Sequence, residues 1–251
     1  MAGKIAVVTG AGRGIGEKVA RAFCQEGARV VLTARTAQQV QQTASALSAH
    51  GFSALAVPGD VGEDADVGFL FAKAREVFGP VEILVNNAGA NLCKPFSELE
   101  IEEWDRLLRT NLRGPFLCSR EALKDMVPKG EGVILNISSR LGERALPQFT
   151  AYCASKFGLE GFTRSLAMEV ESKGIRVNTL HPGGVTNTAI GAATAPPDLP
   201  RERWLPADIV CEPAIYLASE AGRDVTGQCI NASEWLKARK PERRTGKEGP
   251  G

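Results

Sequence analysis

Residues 139–156 read S-R-L-G-E-R-A-L-P-Q-F-T-A-Y-C-A-S-K, and three of them could do chemistry together. Tyr152 and Lys156 stand four apart at the start of a helix-compatible run, so their side chains leave one face. A free phenol, with a pKa of roughly 10, is a poor base at neutral pH. A neighbouring ammonium favours the phenolate and lowers that value, which brings proton exchange with an alcohol or carbonyl oxygen within reach. Ser139 follows the apolar, strand-like run 133–137 and could hydrogen-bond the same oxygen. The plainer alternative is an exposed lysine beside a half-buried tyrosine. The other tyrosine of the chain, Tyr216, has Glu220 at the same offset and so no ammonium.

The totals limit what such a site can belong to. Thirty basic and twenty-nine acidic residues among 251 leave a net charge of +1, so charge gives no reason to expect a nucleic-acid or membrane partner. Six cysteines (24, 93, 118, 153, 211 and 229) are scattered without a C-x-x-C, and there are two histidines, His50 and His181. This spacing predicts no Cys/His zinc cage but reduced thiols in a cytoplasmic protein. No metal site is expected at His181, because no second histidine or carboxylate cluster accompanies it in the sequence. The N-terminus enters a strand pattern at once, and no apolar run approaches the roughly 18 residues of a membrane span. The expectation is a soluble chain.

Strand and helix patterns alternate to position these residues. Runs 5–9, 29–33, 53–57 and 81–85 read as buried strands, and helical patterns cover 14–25, 37–49 and 64–78. Gly27, Gly51 and Gly79-Pro80 mark stops. The order βαβαβαβ calls for a parallel sheet with helices on both faces, and nothing resembles an interdomain linker.

Between the first strand and helix, Gly10, Gly12, Gly14 and Gly16 let the backbone turn tightly and approach a diphosphate at the helix N-terminus. The string is not G-x-G-x-x-G, since Glu17 falls where the third glycine would stand. An acid about 20 positions past the turn holds the ribose 2′-hydroxyl in NAD sites. Here Ala34 and Arg35 occupy that region, and residues 29–49 contain no Asp or Glu. Arg35 with Arg13 could bracket a 2′-phosphate, which favours NADP(H). Asp60 is either a turn residue or a partner for the adenine amino group. Asn86-Asn87-Ala88-Gly89 closes the fourth strand, where ligands of open α/β sheets bind.

In the second half, residues 98–126 read as a long helix interrupted near Gly114-Pro115, with Asn111 just before the weak point. A local break there would free a backbone carbonyl for another partner. The Tyr152 helix should run to about residue 172, followed by a strand over 175–180 and the turn His181-Pro182-Gly183-Gly184. Residues 188–204, with three prolines, suit a lid. Residues 207–219 read as a helix and 227–231 as a last strand. Leu141, Leu146, Phe149 and Trp204 suggest an apolar pocket, while Arg140 and Arg144 either meet an anionic group or face solvent. Residues 237–251 hold six cations and few apolar side chains, so a mobile appendage is expected after a domain over 1–236.

Thr9–Gly16, Asp60, Asn86–Gly89, Asn111, Ser139 with Tyr152-x-x-x-Lys156, and Pro182-Gly183 stand in one order, which closely resembles the short-chain dehydrogenase/reductase family across residues 4–231. The resemblance implies a single-domain α/β Rossmann-type fold, a doubly wound seven-stranded parallel sheet in the order 3-2-1-4-5-6-7. It implies hydride transfer between NADP(H) and a small-molecule carbonyl or secondary alcohol. Tyr152 would be the acid/base, Ser139, thirteen residues before it, would polarise the substrate oxygen, and Lys156 would lower the tyrosine pKa and bind the nicotinamide ribose. Asn111 would hold a water linking Lys156 to solvent. Gly10, Arg13, Gly14, Ile15, Gly16, Arg35, Asp60, Val61, Asn87, Ala88, Gly89, Pro182, Gly183, Val185 and Thr188 fall at cofactor-contact positions, with Tyr152 and Lys156. Family members commonly form homotetramers, or homodimers, through the helices carrying Asn111 and Tyr152. Two places depart from the pattern: Asn187 replaces the usual hydroxyl five residues past Pro182, with Thr188 one later, and the ending V-D-G-G is absent. An NAD-linked alcohol dehydrogenase, or an NADPH-binding sensor or scaffold that does not turn over, are the alternatives. The intact set Asn111, Ser139, Tyr152 and Lys156 argues against the last.

Overall fold

Strand β1, Ile5–Thr9, is buried along its whole length, as a strand covered on both faces must be. It pairs in parallel with β2 (Arg29–Thr33) on one side and β4 (Ile83–Asn86) on the other. With β3 (Ala54–Ala56), β5 (Gly132–Ile137), β6 (Ile175–His181) and β7 (Cys229–Asn231), the computed structural model forms one parallel sheet in the order β3-β2-β1-β4-β5-β6-β7. It describes residues 1–195 and 198–239.

Alternation along the strands divides the core. Ala6, Val8, Val30 and Leu32 pack with Val19 and Phe23 of α1 (Gly14–Gln25), with Val40 and Leu47 of α2 (Ala37–Ser48), and with Leu217 further on. Ile5, Val7 and Val31 face the opposite layer, against Leu70 and Phe71 of α3 (Asp64–Val77). Burying each such large apolar side chain is worth about 1.5–3 kcal/mol, which sets the register of every strand. The sheet is therefore covered by helices on both faces, as the βα alternation predicts.

The long helix of the second half differs from expectation. It comprises α4 (Ile101–Leu108), a π turn over Arg109–Arg113, and α5 (Gly114–Lys129). The break thus contains Asn111 instead of following it. Pro115 falls in the first turn of α5, where its missing N–H costs nothing. Gly114 is needed for contact: a Cβ there would lie 2.8 Å from Val61 Cγ2. Helix α5 also outruns the expected end at Met126, with Pro128 in its last turn and left-handed Gly130 closing it.

Helix α6, Thr150–Val170, lies across the second layer. A buried chain of amides ties it to the sheet: Asn86 Nδ2 donates to Asn136 Oδ1 at 2.8 Å, and Asn136 Nδ2 donates to Thr163 Oγ1 at 2.8 Å. The segment expected as a lid folds into α7 (Ala189–Thr194) and a 3₁₀ turn over Arg201–Arg203, around Pro196 and Pro197, which lie outside the described residues. Helix α8 (Cys211–Ala218) is followed by α9 (Ala232–Arg239), docked by a Tyr216–Trp235 ring contact with centroids 5.4 Å apart. Lys237 and Arg239 are therefore helical, not part of an appendage, and Arg239 sits 4.0 Å over Trp235. The rest of the expected tail, 240–251, lies outside the described residues. Among the described residues no helix is long and apolar enough to cross a membrane.

Candidate active site

The sheet order reverses between β1 and β4, and beyond their C-terminal ends lies the crevice where open α/β sheets take ligands. Two turns meet there. Thr9 Oγ1 accepts the backbone N–H groups of Asn87 and Ala88, both at 2.9 Å, and Asn87 Nδ2 donates to Thr9 O at 2.9 Å and Gly10 O at 3.2 Å. Gly10 has φ +63°, and a Cβ on it would lie 2.8 Å from Ala88 Cα. Gly16, expected as a cofactor contact, does not line the cleft. It lies beneath, where a Cβ would come within 2.5 Å of Gly10 O, so its smallness permits the turn above it.

The cleft is about 1150 Å³ and runs from this turn to the 139–156 segment. Gly10, Arg13, Gly14, Ile15, Arg35, Asp60, Val61, Asn87, Ala88, Gly89, Pro182, Gly183, Val185 and Thr188 all line it. At the β2 end, Arg13 and Arg35 are exposed, with no ion pair among the described residues, and the Thr36 hydroxyl makes no capping bond. Two unpaired guanidiniums, a hydroxyl and the N-terminus of α2 suit a phosphate monoester. Thr36 and Gln39 also line this end. The sequence signal for Thr36 was its place before a helix, directly after Arg35.

Asp60 is held on both sides: its Oδ1 accepts Gly62 N at 2.9 Å, and Arg109 lies 3.8 Å from Oδ2. Thr188 caps α7 by accepting Gly191 N at 3.1 Å, and its hydroxyl lies 3.0 Å from that of Thr186. Asn187 and Thr186 line the cleft as well. Asn231 and Ser233, from the ending that lacks D-G-G, pack against Gly183, where a Cβ would lie 2.2 Å from Asn231 Oδ1.

At the other end the three candidate groups converge. Tyr152 is 9% exposed and packs with Leu107, Leu141 and Phe149. Burial pushes its phenol up, and a hydrogen bond with Ser139 opposes this in part. The expected lowering by Lys156 does not appear: burial sets the direction, and the opposing pull comes from Ser139. Lys156 Nζ donates to Ile137 O at 2.8 Å and lies 5.8 Å from the Tyr152 ring centroid. Burial lowers its pKa from 10.5 to about 8, against the pull of Glu160. Ser139 caps the 3₁₀ turn Arg140–Gly142 by accepting Leu141 N at 3.2 Å. Its neighbour Ser138 also lines the cleft, and its hydroxyl has no partner among the described residues.

Asn111 does not line the cleft. Its Nδ2 donates to Ala90 O at 2.9 Å and Ser155 Oγ at 3.0 Å, and its Oδ1 accepts Ala90 N at 2.8 Å. The carboxamide thus bolts the loop after β4 to α6, and Ser155 completes the link by donating to Tyr152 O at 2.7 Å. Leu141, Leu146 and Phe149 line the substrate end, whereas Trp204 does not; its ring lies under the Arg201 guanidinium at 5.6 Å. Arg140, Arg144, Arg203 and Lys237 line the cleft too.

Folding brings Glu143 and Cys229 beside His181, which the sequence shows as isolated.

A sequence model of the short chain dehydrogenases matches residues 4–198. A short-chain type dehydrogenase/reductase of Picea abies is 35% identical over 249 residues, covering 93% of this chain and 92% of that one. A gluconate 5-dehydrogenase from Burkholderia cenocepacia, crystallised with NADP and tartrate, superposes with a TM-score of 0.86 at 31% identity, covering 94% of this chain and 96% of its own. A variant of actinorhodin polyketide ketoreductase with NADPH gives 0.87 at 33%, covering 92% and 97%. With the glycine turn, the reversal between β1 and β4 and the Ser139–Tyr152–Lys156 cluster in one cleft, the chain belongs to the short-chain dehydrogenase family.

Proposed function

We propose that this chain transfers a hydride between NADP(H) and a carbonyl or secondary alcohol, with Tyr152 as the acid/base, and that its substrates carry an anionic group near the reacting carbon. The observation that carries the reading is the convergence of Ser139, Tyr152 and Lys156 at one end of a cleft whose other end holds Arg13 and Arg35. The NADP and NADPH bound by the two structural relatives support it. When bound, the nicotinamide supplies or accepts the hydride.

In reduction, the buried Tyr152 phenol stays protonated and gives its proton to the oxygen as negative charge develops there. The Ser139 hydroxyl donates to the same oxygen, in the manner of an oxyanion donor. Lys156, fixed by Ile137 O, would favour the phenolate left behind and would hold the nicotinamide ribose. Asn111 is a positioning residue through its carboxamide, and the expected water relay would use the backbone carbonyl at the helix break. Free cysteines fit a cytoplasmic setting.

The anionic preference follows from charge. Arg144, Arg203 and Lys237 have no ion pair among the described residues, and Arg140 donates only to Gly183 O at 3.3 Å. Among the described residues the one carboxylate lining the cleft, Asp60, lies beside Arg109 at the cofactor end. A panel of keto acids and their methyl esters, followed by NADPH consumption, tests both parts. Acids should show the higher kcat/KM, and Arg144→Gln should raise KM for the acids alone. Equal rates for acids and esters would remove the charge argument; NADPH binding without any turnover would favour a sensor.

A further inference from the structure

At the far edge of the sheet, donor atoms meet from four distant parts of the chain. Thr179 on β6 stands opposite Cys229 on β7, and His181 lies two residues beyond Thr179, so all three side chains leave one sheet face. Helix α6 brings Glu160 onto that face. Thr179 Oγ1 donates to Glu160 Oε2 at 2.8 Å, and Cys229 Sγ donates to Glu160 Oε1 at 3.5 Å. Glu143 comes from the turn after Ser139, with its Oε2 3.4 Å from His181 Nε2. One donor atom each of Glu143, His181 and Cys229 lies within 4.8 Å of the others.

We propose that Glu143, His181 and Cys229 bind a divalent cation of the zinc class. Thiolate, imidazole and carboxylate together suit a borderline-soft ion in tetrahedral geometry, not magnesium or calcium. With metal–ligand bonds of about 2.0–2.1 Å, a tetrahedron has an N···O edge of about 3.3 Å, and the His181–Glu143 separation of 3.4 Å already matches it. His181 is 1% exposed and its Nδ1 has no hydrogen-bond partner among the described residues, an imidazole desolvated without full compensation. A cavity of about 350 Å³, lined by Glu143, Cys229, Asn231 and Glu234, leaves room for a water as fourth ligand. Arg140 and Arg144 line it too, beside the carboxylates of Glu143 and Glu234.

Binding breaks the Cys229 S–H bond and forms a sulfur–metal bond, and the proton passes to Glu160, which already accepts it, or to solvent. No atom changes oxidation state. Ligation takes a neutral imidazole and a thiolate, and the cation itself stabilises the thiolate. Occupancy would tie the turn that begins at Ser139 to the ends of β6 and β7, immediately before Pro182.

Cobalt(II) titrated into the full chain, after treatment with a chelator and in thiol-reducing buffer, reads the site directly. One equivalent should produce a near-ultraviolet thiolate-to-cobalt absorption band that zinc abolishes. Cys229→Ser should remove the band, Glu143→Gln should weaken cobalt binding at least about tenfold, and Cys93→Ser, at the exposed cysteine, should leave it intact. Glu143 is exposed, so its variant folds and isolates the ligand effect. No band in the wild type, a band that survives Cys229→Ser, or one lost with Cys93→Ser would overturn the proposal.

Discussion

Lys156 is 6% exposed, and burial brings its pKa from 10.5 to about 8 despite Glu160. Between about pH 8 and 10.5 the unfolded chain holds a proton that the folded chain has released, so this group makes stability rise with pH across that window. Below it, the folded state bears the full cost of a buried ammonium, about 3 kcal/mol for a gap of this size. Cofactor-free Lys156→Met should therefore gain on the wild type most below pH 8, and the gain should shrink to its baseline by pH 10.5. Urea unfolding of both proteins across this range checks it, and a pH-independent difference would place the lysine in contact with solvent. At the opposite end of the cleft, Arg13 and Arg35 face a 2′-phosphate in the proposed reading. Losing one charge-assisted bond costs about 1.5–3 kcal/mol, or roughly ten- to a hundredfold in affinity. Ala34→Asp with Arg35→Ala should weaken NADPH by that factor and NADH little, read as kcat/KM for each cofactor. A wild type that prefers NADH would take the arginines out of the cofactor site.

Elements position these residues through close backbone contact. Gly16→Ala places a methyl 2.5 Å from Gly10 O, a backbone atom that cannot swing aside. The glycine turn must shift, which should cost about 1–3 kcal/mol of stability and weaken NADPH binding at least about tenfold, measured by denaturant unfolding and cofactor titration. Unchanged affinity would show that the turn is not shaped for a ligand. Much of this layer was legible in the sequence, because strands such as Ile5–Thr9 are uninterrupted apolar runs and helix α1 carries a clear apolar stripe. The tyrosine helix and the missing acid after β2 were equally plain. What escaped depends on residues far apart in the chain. Gly114-Pro115 signals a weak point in the helix, but not that the break is a π turn around Asn111, whose carboxamide contacts Ala90 and Ser155. Glu143, His181 and Cys229 come together only through sheet order and register. The helix over Ala232–Arg239 is highly charged, and its stability comes from the Tyr216, Trp235 and Arg239 stack, which composition does not reveal.

At the scale of the whole molecule, helices α5 and α6 expose apolar side chains that a lone chain gains nothing by showing: Phe116 at 46%, Phe157 at 46% and Met168 at 81%. These are the helices through which the resemblance implies assembly, and a homotetramer, or a homodimer, should sediment as such. Phe157→Glu with Met168→Glu should give a smaller species with the fold intact; a wild type that is monomeric at micromolar concentration would contradict this. The cleft, the family and the charge at its two ends all meet in one claim, that Tyr152 moves the proton in an NADP(H)-linked reduction. Tyr152→Phe tests it most directly, because the ring that packs with Leu107 and Phe149 is kept and only the hydroxyl is lost. NADPH affinity and thermal unfolding should stay near wild type while turnover on the best carbonyl of the panel falls at least about a hundredfold. Turnover close to wild type with NADPH bound normally would contradict the mechanism.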